Sequence, residues 1–121
     1  VKYVGPVNNE ELPHWFNQAD ILIHPRAGDW SPNVVAEALA CGLPVVCPKW
    51  GGASEMIGEG GVAVEAEPWD YSQTFIDETV EAVEKVINNL GEYKRKAREQ
   101  AINNMRVDIM AKKYMECLFN Q

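Results

Sequence analysis

Apolar positions fall into two regimes along this chain: short runs bracketed by Gly and Pro up to about residue 65, then helical spacing to the end. Val1 to Val4 reads as a short strand closed by Gly5-Pro6. Asn8 or Asn9 has the chemistry of a helix N-cap, and Glu10 and Glu11 follow in a first turn where the helix dipole favours acids. Leu12, Trp15, Phe16 and Ala19 give that helix an apolar face. Ile21-Leu22-Ile23-His24, closed by Pro25, is apolar on both faces, as a buried parallel strand requires. After a loop over 25–30, Ser31-Pro32-Asn33 opens a helix with Ser31 as cap and Pro32 in the first position. That helix runs through Val34, Val35, Ala38 and Leu39 and stops at Cys41-Gly42.

A strand over 44–48 comes next, then Gly51-Gly52 and a helical turn over 54–57. Gly60-Gly61 lead into a last strand, Val62-Ala63-Val64. Residues 68–72 form a linker, and Phe75, Thr79, Val80, Val83, Val86, Ile87 and Leu90 mark an amphipathic helix ending at Gly91. Two more helices are predicted at about 92–105 and 108–119, the second carrying Ile109, Met110, Tyr114, Met115, Leu118 and Phe119 at helical spacing. Strands alternating with helices specify an α/β fold, a Rossmann-like parallel sheet with helices on both faces. The expected organisation is a single partial domain, with a βα core over about 1–65 and C-terminal helices over 74–121. Ligands of such sheets lie beyond the carboxyl ends of the strands, which nominates the loops after His24, Cys47 and Val64.

Composition narrows the classes. At 121 residues, 46% hydrophobic and 24% charged, the chain suits one modest globular domain. No apolar run approaches the roughly 20 residues that span a bilayer. The start has no initiator Met and does not read as a signal peptide. Cys41, Cys47 and Cys117 are odd in number and lack zinc spacing, so they read as small core hydrophobes of a reducing compartment. The net charge of −7 is uneven: residues 1–91 carry four Lys/Arg against fourteen Asp/Glu, whereas 92–121 carry seven against four. An acidic body argues against nucleic acid as a partner. The run Lys94-Arg95-Lys96-Ala97-Arg98 is either a solvated helix face or a contact for an anionic membrane.

The candidate chemistry concentrates in Gly28-Asp29-Trp30-Ser31-Pro32-Asn33-Val34-Val35-Ala36-Glu37-Ala38. Backbone amides of Ser31, Asn33 and Val34 lie at a helix start, where no carbonyl inside the helix accepts from them. A diphosphate would satisfy them and gain from the dipole; equally, the start is a plain one capped by Ser31. Gly28 allows close approach of a ligand. Glu37 flanks the apolar face, where a carboxylate can accept from two vicinal hydroxyls of a ribose or serve as a dipole-stabilised surface acid.

These residues carry a resemblance. Val4-Gly5-Pro6-Val7, Glu11-Leu12, the stretches 19–25 and 31–46, Gly51-Gly52 with Glu55, and 60–64 together resemble the retaining, nucleotide-sugar-dependent glycosyltransferases of the GT-B architecture, family 4. The order and spacing hold over about residues 1–65, and the helices beyond suit the family's C-terminal end. The family has two glutamates separated by seven residues. The resemblance implies that Glu37 binds the donor ribose and that Asp29, an aspartate where the family has glutamate, contacts the transferred sugar. It further implies that Ser31, Pro32, Asn33 and Val34 hold the distal phosphate and that Gly5 to Val7 lie near the base. No cofactor or bound metal is implied; the donor, a UDP- or GDP-linked sugar, is a substrate. His24, Arg26, Lys49 and Glu55 are additional candidates, each with a structural or surface role as the alternative.

The resemblance also implies that the chain is cut from a longer parent, or else that a partner supplies the strands it lacks. The matching strands would be three to six of a sheet ordered 3-2-1-4-5-6, with strands one and two, the family's basic pair and the acceptor-binding domain lying before residue 1. The expected activity is sugar transfer to a hydroxyl acceptor, a sugar or a lipid, by the parent in the cytoplasm, with the isolated chain inactive; a lipid acceptor would bring it against a membrane surface. Capsule, lipopolysaccharide and glycolipid synthesis all suit such an activity. The alternatives are a nucleotide-sugar epimerase of the same architecture, or a non-catalytic nucleotide-binding or interaction module.

Overall fold

A computed structural model describes residues 1–69 and 71–119. The helices are α1 (Leu12–Gln18), α2 (Asn33–Ala40), α3 (Ala53–Ile57), α4 (Gln73–Asn88), α5 (Leu90–Asn104) and α6 (Val107–Phe119). The strands β1 (Leu22–Ile23), β2 (Val45–Pro48) and β3 (Gly61–Val64) form one parallel sheet in the order β1-β2-β3. Register pairs Leu22 with Val45 on one side of β2 and Val45 with Gly61 on the other.

Helices cover both faces, as the alternation of elements requires, and β2 shows why. Its side chains point to opposite faces in turn. Val45 and Cys47 join Val35, Ala38, Leu39, Ala53, Ile57, Ala97 and Ala101 in a cluster under α2, α3 and α5. Val46 faces the other way and packs with Val64, Phe75, Ala82 and Val86 under α4. Leu22 belongs to the first face and Ile21 to the second, but Ile23 is 49% exposed, so β1 is less buried than its apolar run suggests.

Four local expectations are corrected. Val1 to Val4 form no strand, because a strand exists only in a ladder and none of the described strands pairs with them. The first helix starts at Leu12 with Glu11 as its cap residue, and Asn8 supplies a carbonyl rather than a side chain, accepting from Glu11 and Leu12 at 2.9 and 3.2 Å. Pro32, buried and extended, is the cap residue of α2, so Ser31 lies outside the helix and makes no capping bond. Gly91 lies within α5; the break comes at Asn89, whose backbone leaves helical angles while its amide bonds Val86 and its carbonyl accepts from Tyr93. The predicted linker over 68–72 includes Asp70, which is outside the described residues.

The cysteines divide by burial. Cys47 is buried, Cys41 half-buried and Cys117 exposed on α6, so Cys117 is not the core residue that the sequence suggested. Burial pushes the Cys47 thiol up to about 12 from 9.0, because the thiolate loses its hydration. Alkylation of the native protein at mildly alkaline pH is therefore expected to label Cys117 and spare Cys47, read by peptide mass. The sign for stability follows from the raised value. The folded state holds this proton more tightly, so the contribution of Cys47 is complete below pH 9 and is lost as pH rises toward 12.

The basic run of α5 is largely committed inside the chain. Lys94 bonds Asp20 at 3.1 Å, Arg95 pairs with Glu92 and Glu99, Lys96 approaches Glu59 at 3.7 Å, and Arg98 donates to the carbonyl of Ala40. The hydrogen bond from Arg95 holds the Glu92 carboxyl below its usual range. Among the described residues no helix is long and apolar enough to cross a membrane.

Candidate functional site

The loops that follow β1 and β2 leave the sheet at its carboxyl edge, and they are clasped to each other. Gly28 donates its amide to the carbonyl of Trp50 at 3.1 Å, and Gly52 donates to the carbonyl of Asp29 at 2.9 Å. Ser54 closes the second loop from below, its hydroxyl donating to the carbonyls of Lys49 and Gly51 at 2.8 and 3.1 Å. The glycines are required by this approach. A Cβ on Gly28, whose φ is +78°, would stand 2.4 Å from Cζ3 of Trp50, and one on Gly52 would stand 1.7 Å from the carbonyl oxygen of Trp30. The rings of Trp30 and Trp50, one from each loop, lie 5.4 Å apart, centroid to centroid.

Asp29 is half-buried in this clasp, with its Oδ2 3.4 Å from Nε2 of His24 at the end of β1. That nitrogen is buried and makes no hydrogen bond within the protein. The two groups are adjacent without the alignment a hydrogen bond needs. The backbone of His24 is fixed, donating to Val46 at 2.9 Å. His24 and Asp29 are thus brought together, a pairing that their separation in sequence did not announce.

From Asp29 the chain passes exposed Trp30 and Ser31 and reaches buried Pro32, where α2 begins. The amide of Val35 is already used, donating to Pro32 at 3.0 Å. The amides of Asn33 and Val34 precede any carbonyl within α2 that could accept from them, and these two are the donors the helix start can offer a ligand. Ser31, predicted to share that role, lies outside the helix.

Glu37 is half-buried and lies about 6 Å further along the helix axis than Asn33. It borders two open grooves. One, of about 640 Å³, also includes Ala36, Ala40, Arg98, Ile102 and Arg106; the other, of about 190 Å³, includes Asn9, Leu12, Pro13 and Phe16 of the α1 region. Asp29 lines neither. Gly5 and Val7 are half-buried in the irregular segment before α1, Gly5 with a left-handed φ of +81°. Lys2, in the same segment, sits 5.8 Å from the ring centroid of Trp15 in α1.

The other candidates separate. Arg26 is exposed and has no ion-pair partner among the described residues. Lys49 is paired with Glu65 across the ends of β2 and β3. Glu55 sits in the first turn of α3, beside Trp30 and Ser31 in a third cleft. No group of three or more His, Cys, Asp or Glu among the described residues could hold a metal ion.

Comparison with known proteins adds to this geometry. The family model described as "Glycosyl transferases group 1" matches residues 1–89. A D-inositol 3-phosphate glycosyltransferase 2 of Catenulispora acidiphila is 36% identical over 75 residues, which cover 60% of this chain and 18% of that protein. A D-inositol 3-phosphate glycosyltransferase of an Arthrobacter species is 44% identical over 60 residues, covering 50% and 14% respectively. The O-antigen chain mannosyltransferase B of Escherichia coli is 29% identical over 70 residues, covering 58% and 18%. Each match thus spans less than a fifth of the relative's length. No solved structure matches significantly.

Proposed function

Since the chain belongs to the group 1 glycosyl transferases, we propose that it forms the donor-binding part of a retaining enzyme that moves a sugar from a nucleoside diphosphate to a hydroxyl acceptor. In this reading the chain is one partial domain of a longer protein, which supplies the acceptor site, and the isolated chain does not turn over. The observation that carries the reading is the order of groups over 28–37. A glycine pressed against the neighbouring loop precedes Asp29, two uncommitted amides open α2 at Asn33 and Val34, and Glu37 follows one turn on.

Each group has a role that suits its chemistry. The helix start stabilises charge that develops on the departing diphosphate, with no bound metal required. Glu37 accepts from the two ribose hydroxyls, and the segment Gly5 to Val7, which precedes α1, meets the base. Asp29 contacts the transferred sugar, and His24, 3.4 Å from that carboxylate, lines the site beside it. Names of the relatives, all transferases, favour transfer over the epimerase alternative.

An NMR titration of the labelled chain with UDP, GDP and ADP tests the donor site. One nucleotide is expected to give saturable shifts at the amides of Asn33 and Val34. Glu37→Ala should weaken its binding roughly tenfold, equivalent to about 1.4 kcal/mol. A folded protein in which no nucleotide moves either amide would overturn the reading.

A further inference from the structure

The third cleft has a composition that the proposed ribose, base and phosphate contacts do not use. Trp30 is 72% exposed and Trp50 is 40% exposed. Large aromatic side chains held in water at a fixed position are the usual material of recognition surfaces. The two rings meet at a tilt of 52°, the carbonyl of Trp50 accepts from Gly28, and the carbonyl of Asp29, next to Trp30, accepts from Gly52. A ring already immobilised loses little freedom when a ligand stacks on it.

Trp30 walls a cleft of about 290 Å³ that also contains Ser31, Glu55, Gln100 and Asn104. Its size lies at the lower end of small-molecule sites, about 300 Å³. The carboxamides are oriented in advance. Gln100 donates from Nε2 to the carbonyl of Met56 at 2.9 Å and accepts at Oε1 from Nδ2 of Asn104 at 2.9 Å. Asn104 keeps its own Oδ1 for another donor. Glu55 has no ion-pair partner among the described residues, and neither lysine nor arginine lines the cleft.

We propose that this cleft is a pyranose subsite, in which the C–H face of a sugar ring stacks on the Trp30 indole and its hydroxyls bond Glu55, Asn104 and Ser31. A pyranose ring is amphipathic in the way the cleft is, with an apolar face and a rim of hydroxyls. The Glu55 carboxylate accepts from two neighbouring hydroxyls, and Asn104 both accepts and donates. The same carboxylate, with no cation nearby, disfavours a phosphate here, which separates this cleft from the start of α2. The subsite rests on the sugar-transfer reading only for the supply of its ligand, which is either the sugar carried by the donor or a sugar of the acceptor.

The test follows the tryptophan indole N–H signals of the labelled chain with methyl α-D-glucopyranoside, methyl α-D-mannopyranoside and methyl β-D-galactopyranoside, and separately with UDP and UDP-glucose. At least one glycoside is expected to shift the Trp30 signal saturably. Trp30→Ala and Glu55→Gln should each weaken that binding at least tenfold, followed on the Asn104 side-chain amide, while Trp69→Ala, at another exposed tryptophan, should leave it unchanged. A Trp30 response to UDP-glucose as well as to the glycoside assigns the sugar to the donor; a response to the glycoside only assigns it to the acceptor. If no glycoside moves Trp30, if Glu55→Gln binds as the wild type does, or if UDP moves Trp30 and the glycosides do not, the proposal is overturned. UDP read at the Asn33 and Val34 amides reports on the donor site in the same sample, so either reading can fail while the other survives.

Discussion

Gly52→Ala is expected to lower the stability of the protein by about 3 kcal/mol, the upper part of the usual range for forcing atoms into a packed site. The new methyl carbon would begin 1.7 Å from the carbonyl oxygen of Trp30 and 2.6 Å from its carbonyl carbon. Both are backbone atoms, so no rotamer change relieves the clash. The two loops must separate, which breaks the bond from the Gly52 amide to the Asp29 carbonyl and uncouples Trp30 from Trp50. Thermal unfolding should show the midpoint falling by roughly 10 °C, and the indole signals of both tryptophans should move in the variant. Gly91→Ala is the matched control: nothing lies within 4 Å of its added Cβ, and alanine in the first turn of α5 should be neutral or stabilising by up to about 1 kcal/mol. A Gly52→Ala protein as stable as the wild type would mean that the loops are not clasped.

The second large effect is expected at Leu39. Its side chain is fully buried beneath α2, among Val35, Val45, Ile57 and Ala97. Leu39→Ala removes three methyl or methylene-sized groups from a site ringed by helices and a sheet, which can close only in part over the space. The expected loss is about 3 kcal/mol, within a range of roughly 2–5 kcal/mol for such truncations. Leu118→Ala, on the open face of α6 at 61% exposure, should stay within about 0.5 kcal/mol of the wild type. Urea unfolding of the pair measures both, and equal losses would contradict the placement of Leu39 at the centre of the larger cluster.

What the sequence made legible was local or strictly periodic. Gly42, left-handed at φ +71°, ends α2 where the reading placed the stop, and the run 45–48 forms a strand buried at every position. The helices of the second half appear within two or three residues of their predicted bounds because their apolar spacing repeats for several turns. Val1 to Val4 misled because β-rich composition cannot supply a partner strand. Ser31 misled because cap propensity is a preference, and the extended backbone of Pro32 takes the position instead. The apolar face predicted for α6 is exposed, since periodicity shows that a helix has a greasy side without naming what it meets.

The candidate site was legible as a list of residues and not as a shape. Asp29, Glu37 and the helix start could be named from the local residues and the family resemblance, but the contact of Gly28 with Trp50 and of Gly52 with Trp30 spans more than twenty positions of sequence. No local rule connects those residues. Neither does any local rule join Glu55 to Gln100 and Asn104, which come together only when α5 folds back over α3.

The alternation of side chains along β2 has a mechanical meaning for the whole chain. Val45 and Cys47 belong to one apolar cluster and Val46 to the other, so four residues form a partition wall shared by two rooms. Neither covering of the sheet can be stripped away while the wall stays dry on that side, and a wall wetted on one side no longer holds its neighbours in register. Damage beneath α4 is therefore felt beneath α2, although those two helices lie on opposite sides of the sheet. The sheet and its two coverings have little capacity to come apart in stages, and the residues that would meet a nucleotide are guarded by packing on a face they never touch.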